Sequence, residues 1–254
     1  METDNGSRVA IITGGSRGIG EAITRAFWEE KYHILVGARI NTKLVEQLGE
    51  RARFQRCDVR LESDHRALVK TALKWAGRLD VYVNCAGFSE WRPVRDVDLG
   101  FWNKMIDTNL KGTFWGCKIA AESLSKEGCI VNISSLAGKR GSTNNSVYCA
   151  SKFGVNGLTQ ALAKELGAKG IRVNAVCPVY VETKGLLEAL KDKRSPSGGQ
   201  ETSIFLKEFA KDSAALQRLP EAQEIARLCV FLASSKASAV TGQCINVDCG
   251  VLPQ

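Results

Sequence analysis

The sequence predicts an α/β fold: a doubly wound parallel sheet, covered by helices on both faces and built as a single domain. Three observations carry this. Apolar runs of strand length alternate with longer amphipathic stretches along the chain. Several of those runs, RVAIIT (8–13) and CIVNIS (129–134) among them, are apolar almost throughout instead of at every second residue. Such runs suit strands buried on both faces. The β-α-β-α order then sets the strands parallel, with the helices as crossovers.

The remaining strand candidates are HILVGA (33–38), RFQRCDV (53–59), LDVYVNCA (79–86), IRVNAVC (171–177) and QCINVD (243–248). Helix-period stretches fall between them at 19–31, 42–52, 62–77, 98–126, 146–169 and 221–234. The 254 residues contain no internal repeat and no interdomain linker. Residues 185–215 break the rhythm, with helix-like pieces around a polar, glycine-rich centre, RSPSGGQ. An excursion of this length off the carboxyl end of a strand is read as a substrate lid.

The first strand runs into TGGSRGIG (13–20), and a helix follows. Gly14, Gly18 and Gly20 allow a tight turn and close approach of a ligand, and the helix start offers free N–H groups to a pyrophosphate. Ser16 and Ile19, in the same loop, are counted with this dinucleotide site. A NAD site usually carries an acidic residue at the end of the second strand. Here Ala38 stands there, Arg39 follows it, and Arg17 lies in the glycine loop. Two guanidinium groups and no carboxylate favour a ribose 2′-phosphate, so NADP(H) is the expected cofactor. Asp58 is the expected acceptor for the adenine amino group, with Val59 beside it.

Composition narrows the function classes. Net charge is +8, but Lys and Arg are spread along the chain with no basic arm, so nucleic acid is not an expected partner. Nine cysteines without C-x-x-C spacing read as reduced thiols, and two histidines give neither a metal site nor a Ser-His-Asp triad. No apolar run is long enough to span a bilayer, and METDNGSRVAII lacks the pattern of a signal peptide. A cytoplasmic enzyme with no membrane partner is expected.

The motifs TGGSRGIG (13–20), CDV (57–59), NCAG (84–87), TNLKG (108–112), NISS (132–135), YCASK (148–152) and RVNAVCP (172–178) stand in an order and spacing that resemble the short-chain dehydrogenase/reductase family, over nearly the whole chain. The resemblance implies a single Rossmann domain with seven parallel strands, assembled as a homotetramer or homodimer. It implies Ser135, Tyr148 and Lys152 as catalytic residues, with Asn109 completing the tetrad and positioning a water that passes protons to Lys152. Ser135 is preferred to Ser134 because it precedes the tyrosine by the family's usual interval. Asn84, Ala86 and Gly87 would line the cofactor site and steady the sheet. Pro178, Val181 and Thr183 would lie at the nicotinamide end. Two departures stand out: Val179 follows Pro178 where the family often has glycine, and the usual Asp-Gly-Gly near the C-terminus reads Asp248, Cys249, Gly250.

Tyr148 and Lys152 at i and i+4 share a helix face. Free tyrosine has a pKa of about 10, and a nearby ammonium and an oxidised nicotinamide would both favour the phenolate. The expected reaction is reduction of a ketone to a secondary alcohol, or its reverse, by hydride transfer. A 3-oxoacyl thioester is the leading case, with Lys126 and Lys169 as candidate contacts to an acidic carrier protein. A sugar or polyol dehydrogenase is the alternative enzyme, and a non-catalytic NADP(H) sensor the alternative of another class. Trp91, Arg92, Arg95, Lys139, Arg140, Asn144 and Asn145 are the expected pocket walls. They suit a polar or anionic carbonyl compound better than an apolar one.

Overall fold

The computed structural model describes residues 8–253. The polar start at 1–7, which enters the reading of a chain without an export signal, lies outside them, as does Gln254. Strands β1 (Val9–Thr13), β2 (His33–Ala38), β3 (Ala52–Arg56), β4 (Val81–Asn84), β5 (Cys129–Ile133), β6 (Arg172–Pro178) and β7 (Cys244–Val247) form one sheet in the order β3-β2-β1-β4-β5-β6-β7. Every neighbouring pair is parallel. The helices are α1 (Gly18–Glu29), α2 (Leu44–Leu48), α3 (Glu62–Ala76), α4 (Leu99–Ile106), α5 (Gly112–Ser123), α6 (Ser146–Leu166), α7 (Lys184–Leu190), α8 (Thr202–Ser213) and α9 (Ala222–Ala233).

Alternate strand residues feed two apolar layers. Ile12, Val36 and Val83 pack with Ile23 and Phe27 of α1 and with Ile225 and Leu232 of α9. Ile11, Leu35 and Tyr82 pack with Leu68 of α3, Ala120 of α5 and Leu166 of α6 on the other face. Both faces of the central strands are therefore buried, which is why their sequences run apolar instead of alternating. Each large aliphatic side chain so buried contributes about 1.5–3 kcal/mol. The chain order reverses between β1 and β4, so the connections leaving their carboxyl ends diverge and open a crevice there.

Two elements depart from expectation, and the excursion shows how it is held. β3 ends at Arg56, leaving 57–59 in the loop, where the Asp64 carboxylate accepts from the Asp58 N–H at 2.8 Å. The expected helix over 98–126 is broken by a π turn at Asp107–Lys111 between α4 and α5. Close packing accompanies the break: a Cβ on Gly112 would lie 3.0 Å from the Val59 carbonyl oxygen. The 185–215 excursion is packed down. Ser195 and Ser197 are buried and donate to the Leu190 carbonyl at 2.8 and 2.6 Å, closing the end of α7. Asn144 Nδ2 donates to the Arg194 carbonyl at 3.0 Å and ties the excursion to the segment before α6.

Candidate active site

Helix α6 carries Tyr148 and Lys152, and polar contacts fix its position on the sheet. Asn84 Nδ2 on β4 donates to Asn132 Oδ1 on β5 at 2.9 Å, and Asn132 Nδ2 donates to Thr159 Oγ1 of α6 at 2.9 Å. Asn156 Nδ2 donates to the Gly138 carbonyl at 2.9 Å. A Cβ on Gly138 would lie 2.7 Å from the Lys152 carbonyl oxygen, so only glycine lets the post-β5 turn sit this close to α6. Lys152 is buried, donates through Nζ to the Ile133 carbonyl at 2.8 Å, and lies 5.7 Å from the Tyr148 ring centroid. Ser135 hydrogen-bonds the Tyr148 hydroxyl and accepts from the Ala137 N–H at 3.1 Å. Ser134 is buried and donates to the Lys152 carbonyl at 3.3 Å, so Ser135 is the serine that meets the phenol.

The electrostatics differ from expectation. Burial pushes the Tyr148 hydroxyl up to about 12, and the Ser135 hydrogen bond only partly opposes this. Burial pushes Lys152 down to about 8. In the chain by itself, loss of hydration at the phenol therefore outweighs any pull from the ammonium, which faces the Ile133 carbonyl.

The glycine loop is built for close approach. Gly14 has φ 68°, and a Cβ there would stand 2.8 Å from Ala86 Cα. A Cβ on Gly20 would fall 2.1 Å from the Gly14 carbonyl oxygen, so α1 can start against the loop only with glycine there. Arg17 is the N-cap of α1 and makes no side-chain cap, which leaves the first N–H groups of the helix available. A cleft of about 1820 Å³ runs from this loop past Tyr148 to the excursion. Gly14, Ser16, Arg17, Gly18, Ile19, Gly20, Arg39, Asp58, Val59, Ala86, Gly87, Ser135, Tyr148, Lys152, Pro178, Val181 and Thr183 all line it. Thr183 Oγ1 accepts from the Leu186 N–H at 3.2 Å and caps α7, close to Gly18. Asp58 forms an ion pair with Arg60 at 2.5 Å, whose hydrogen bonds hold its carboxyl below the usual range.

Two expected residues stand behind the wall. Asn84 does not line the cleft; its amide is committed to Asn132, and it braces β4 on β5. Asn109, in the π turn, is fully buried. Its side chain accepts from the Phe88 N–H at 3.0 Å and donates to the Phe88 carbonyl at 2.9 Å, so it holds that backbone.

A sequence profile described as enoyl-(acyl carrier protein) reductase, one of the short-chain dehydrogenase/reductase profiles, matches residues 14–252. The chain belongs to the short-chain dehydrogenase/reductase family. It is 34% identical to the 3-oxoacyl-(acyl-carrier-protein) reductase FabG of Chlamydia muridarum, over 96% of this chain and 97% of the relative. It is 35% identical to glucose 1-dehydrogenase 2 of Bacillus subtilis, over 99% and 97%. Among solved structures, the ligand-free aldohexose dehydrogenase of Thermoplasma acidophilum superposes with a TM-score of 0.87 at 30% identity, covering 98% of both chains. The chain is an oxidoreductase acting on CH–OH and C=O groups, and its family works with a nicotinamide cofactor.

Of the expected walls, Trp91, Arg140 and Asn145 line the cleft; Arg92, Arg95, Lys139 and Asn144 do not. Arg92 is drawn away by Glu90 and Asp98, each at 3.2 Å, and lies 4.1 Å over the Phe101 ring. Arg95 is exposed beside Asp96, and Asn144 is turned to Arg194. Leu136, Tyr180, Leu206 and Phe209 line the cleft instead, with the Tyr180 and Phe209 rings 4.9 Å apart. The expected walls, which favour a polar or anionic compound, thus gain an apolar and aromatic side, because α8 folds back onto Tyr180. Nothing local in the sequence pairs Tyr180 with Phe209. Asn132 and Thr159 were also missed as supports, although Asn132 sits inside NISS.

Val179 packs with Ala214 and Val251, which seats it in a small apolar cluster. Cys249 holds φ 55°, where the family's usual glycine is free of strain. Lys126 and Lys169 precede β5 and β6, at the end of the sheet opposite Tyr148, and neither lines the cleft. Among the described residues no cluster of His, Cys, Asp or Glu is fit for a metal, all nine cysteines are free, and no helix is long and apolar enough to cross a membrane.

Proposed function

We propose that this chain is an NADP(H)-dependent carbonyl reductase with Tyr148 as its acid–base residue. The observation that carries the reading is the meeting of Ser135, Tyr148 and Lys152 in the cleft that starts at the glycine loop. Gly14, Ser16, Gly18, Ile19 and Gly20 give the pyrophosphate a backbone path at the uncapped start of α1. Arg17 and Arg39 are exposed, line the cleft and form no ion pair among the described residues, so both are available to a 2′-phosphate. Ala38 offers no carboxylate to compete. Asp58 and Val59 serve the adenine, and Ala86, Gly87, Pro178, Val181 and Thr183 the nicotinamide end. When bound, the reduced cofactor supplies the hydride.

A phenol held near 12 is protonated at neutral pH and gives its proton to the carbonyl oxygen as charge grows there. Ser135 donates a second hydrogen bond to that oxygen. Lys152, near 8, is poised to return a proton to Tyr148. Asn109 keeps the Phe88 backbone in register beside them.

The apolar wall suits an acyl body, which makes a 3-oxoacyl thioester the first substrate to test. A thioester borne on an acidic carrier protein would enter past Arg140 and Lys207 at the cleft, not past Lys126 and Lys169. A hydroxylated ketone is the second reading, favoured by the likeness to glucose 1-dehydrogenase 2. Exposed Trp102, Phe114 and Phe153 on α4, α5 and α6 offer apolar surface to further copies of the chain, as a homotetramer or homodimer needs. The nine free thiols fit the cytoplasm.

The test follows NADPH oxidation with a 3-oxoacyl thioester and a panel of hydroxyketones, in the native protein and in Tyr148→Phe. Turnover should fall by about 10²–10⁴-fold in the variant while NADPH still binds. A variant with native turnover refutes the role of Tyr148. Tight NADPH binding without turnover of any carbonyl compound makes the chain a sensor.

A further inference from the structure

His65 is a buried titratable group for which the chemistry at Tyr148 has no use. It sits near the start of α3, is fully buried, and does not line the cleft. Both ring nitrogens have partners. Nε2 lies 2.9 Å from the Val59 carbonyl oxygen, and Nδ1 lies 2.7 Å from the Tyr82 hydroxyl. A carbonyl oxygen can only accept, so Nε2 carries the hydrogen and donates to Val59. Nδ1 is then the bare nitrogen of a neutral ring, and the Tyr82 hydroxyl donates to it. Burial favours that neutral form, holding the imidazole below its ordinary range.

The Val59 carbonyl is also confined from α5, since a Cβ on Gly112 would stand 3.0 Å from its oxygen. The Arg60 N–H, in the same peptide group, donates to Asp58 Oδ1 at 3.1 Å. One peptide earlier, the Asp58 N–H donates to Asp64 Oδ2 at 2.8 Å. Asp64 and His65, adjacent on α3, therefore fix the peptide groups on either side of the Asp58–Val59 bond.

The peptide between them is left with one free group. Its carbonyl, that of Asp58, accepts from the Leu61 N–H at 3.0 Å. Its N–H, that of Val59, has no hydrogen-bond partner among the described residues. Asp58, Val59 and Arg60 all line the cleft, at the end assigned above to the adenine. The ring nitrogens of adenine that lack hydrogen only accept, so a free N–H held in one direction suits them.

We propose that His65 is a positioning residue for the cofactor: its Nε2–H holds the Val59 carbonyl from behind the cleft wall and so keeps the Val59 N–H aimed at the adenine. This rests on the NADP(H) reading above and extends it to a residue that touches no ligand. The bond to Val59 is the part that matters. Tyr82 supports the ring from the other side, but Nε2–H keeps its acceptor without it.

The experiment measures dissociation constants by calorimetry, so it needs no substrate. The ligands are NADPH and adenosine 2′,5′-bisphosphate, which carries the adenine end alone. The proteins are native, His65→Leu, His65→Gln and Tyr82→Phe. Leucine fills the space and has no donor. Glutamine places an N–H as many bonds from the main chain as Nε2 and can restore the bond to Val59. Positioning predicts that His65→Leu weakens both ligands by about three- to tenfold, the worth of one hydrogen bond. His65→Gln and Tyr82→Phe should stay within about twofold of native, even where their thermal melts fall. Native affinity in His65→Leu, or equal weakening in the leucine and glutamine variants, overturns the role. So does a loss confined to NADPH, which would place the effect away from the adenine. If His65→Leu does not fold, the native protein decides: the bisphosphate must slow hydrogen exchange at the Val59 amide and shift the His65 Nε2 resonance, and silence at both overturns the role. If native protein binds neither ligand, the NADP(H) reading itself fails and takes this role with it.

Discussion

Replacing Lys152 by methionine should make the cofactor-free protein more stable at neutral pH while removing its activity. Lys152 is 5% exposed and has no acidic partner among the described residues. Burial lowers it from its ordinary 10.5 to about 8, a gap that corresponds to about 3 kcal/mol against the folded state. Methionine keeps the buried stem and removes the charge, but it leaves the Ile133 carbonyl without its donor, which costs about 1 kcal/mol. The net gain at pH 7 is about 2 kcal/mol, or roughly 4–8 °C in Tm for a chain of this size. The sign follows from proton counts. Between pH 8 and 10.5 the unfolded lysine holds more proton than the folded one, so native stability gains on the variant as pH rises. Below pH 8 the penalty is present in full. Thermal unfolding of both proteins, at intervals from pH 6.5 to 10.5, should show the variant ahead at pH 7 and slightly behind at pH 10.5. Tyr148 and the other titrating groups are common to both proteins and cancel. A variant less stable at every pH, by a constant margin, would refute the claim that Lys152 is buried at an electrostatic cost.

Other consequences test separate parts of the molecule. Replacing Arg17 and Arg39 together by alanine should raise the KM for NADPH by tens-fold or more, since each charge-assisted hydrogen bond contributes about 1.5–3 kcal/mol, and should change the KM for NADH far less. Equal losses with both cofactors would exclude 2′-phosphate recognition by these arginines. Cys249→Gly relieves a left-handed backbone at φ 55°, and should raise stability by about 1 kcal/mol and Tm by about 2–4 °C in a thermal melt. An unchanged or lower Tm would show that packing of the thiol outweighs the strain.

The parts of the site that were legible in the sequence share one property: their geometry is local. Gly14, Gly18 and Gly20 act within one turn, and Tyr148 and Lys152 within one turn of one helix. Spacing along the chain therefore already encodes spacing in three dimensions. The sheet was legible for a related reason, since burial on both faces leaves a compositional trace in each strand. What could not be read depends on partners far away in sequence. Arg92 looked available to a substrate, yet Asp98 and Glu90 claim it only once the turn before α4 is folded. Nothing in the sequence shows that the Asn109 amide closes on a backbone 21 residues earlier. The apolar wall joins Tyr180 to Phe209 across an intervening helix and turn. The excursion read as a substrate lid, but composition does not reveal that Ser195 and Ser197 share the Leu190 carbonyl and pack its glycine-rich centre down.

The burial that lowers stability at Lys152 also bears on the direction of the chemistry. Reduction needs a proton donor at Tyr148, and a phenol raised to about 12 by its surroundings supplies one across the whole neutral range. Oxidation needs the same group without its proton, so it must first be ionised against both burial and the low ambient hydroxide. A lysine lowered to about 8 does not reverse this, because its charge is partly lost over the same range in which it would be needed to support the phenolate. A well-hydrated Lys152 would hold its charge and favour the oxidative direction. Instead Lys152 is 5% exposed, with Gly138 packed close on α6 and the Ile133 carbonyl at Nζ. The same packing that seats the two side chains therefore keeps the Tyr148 phenol of the cofactor-free chain protonated at neutral pH.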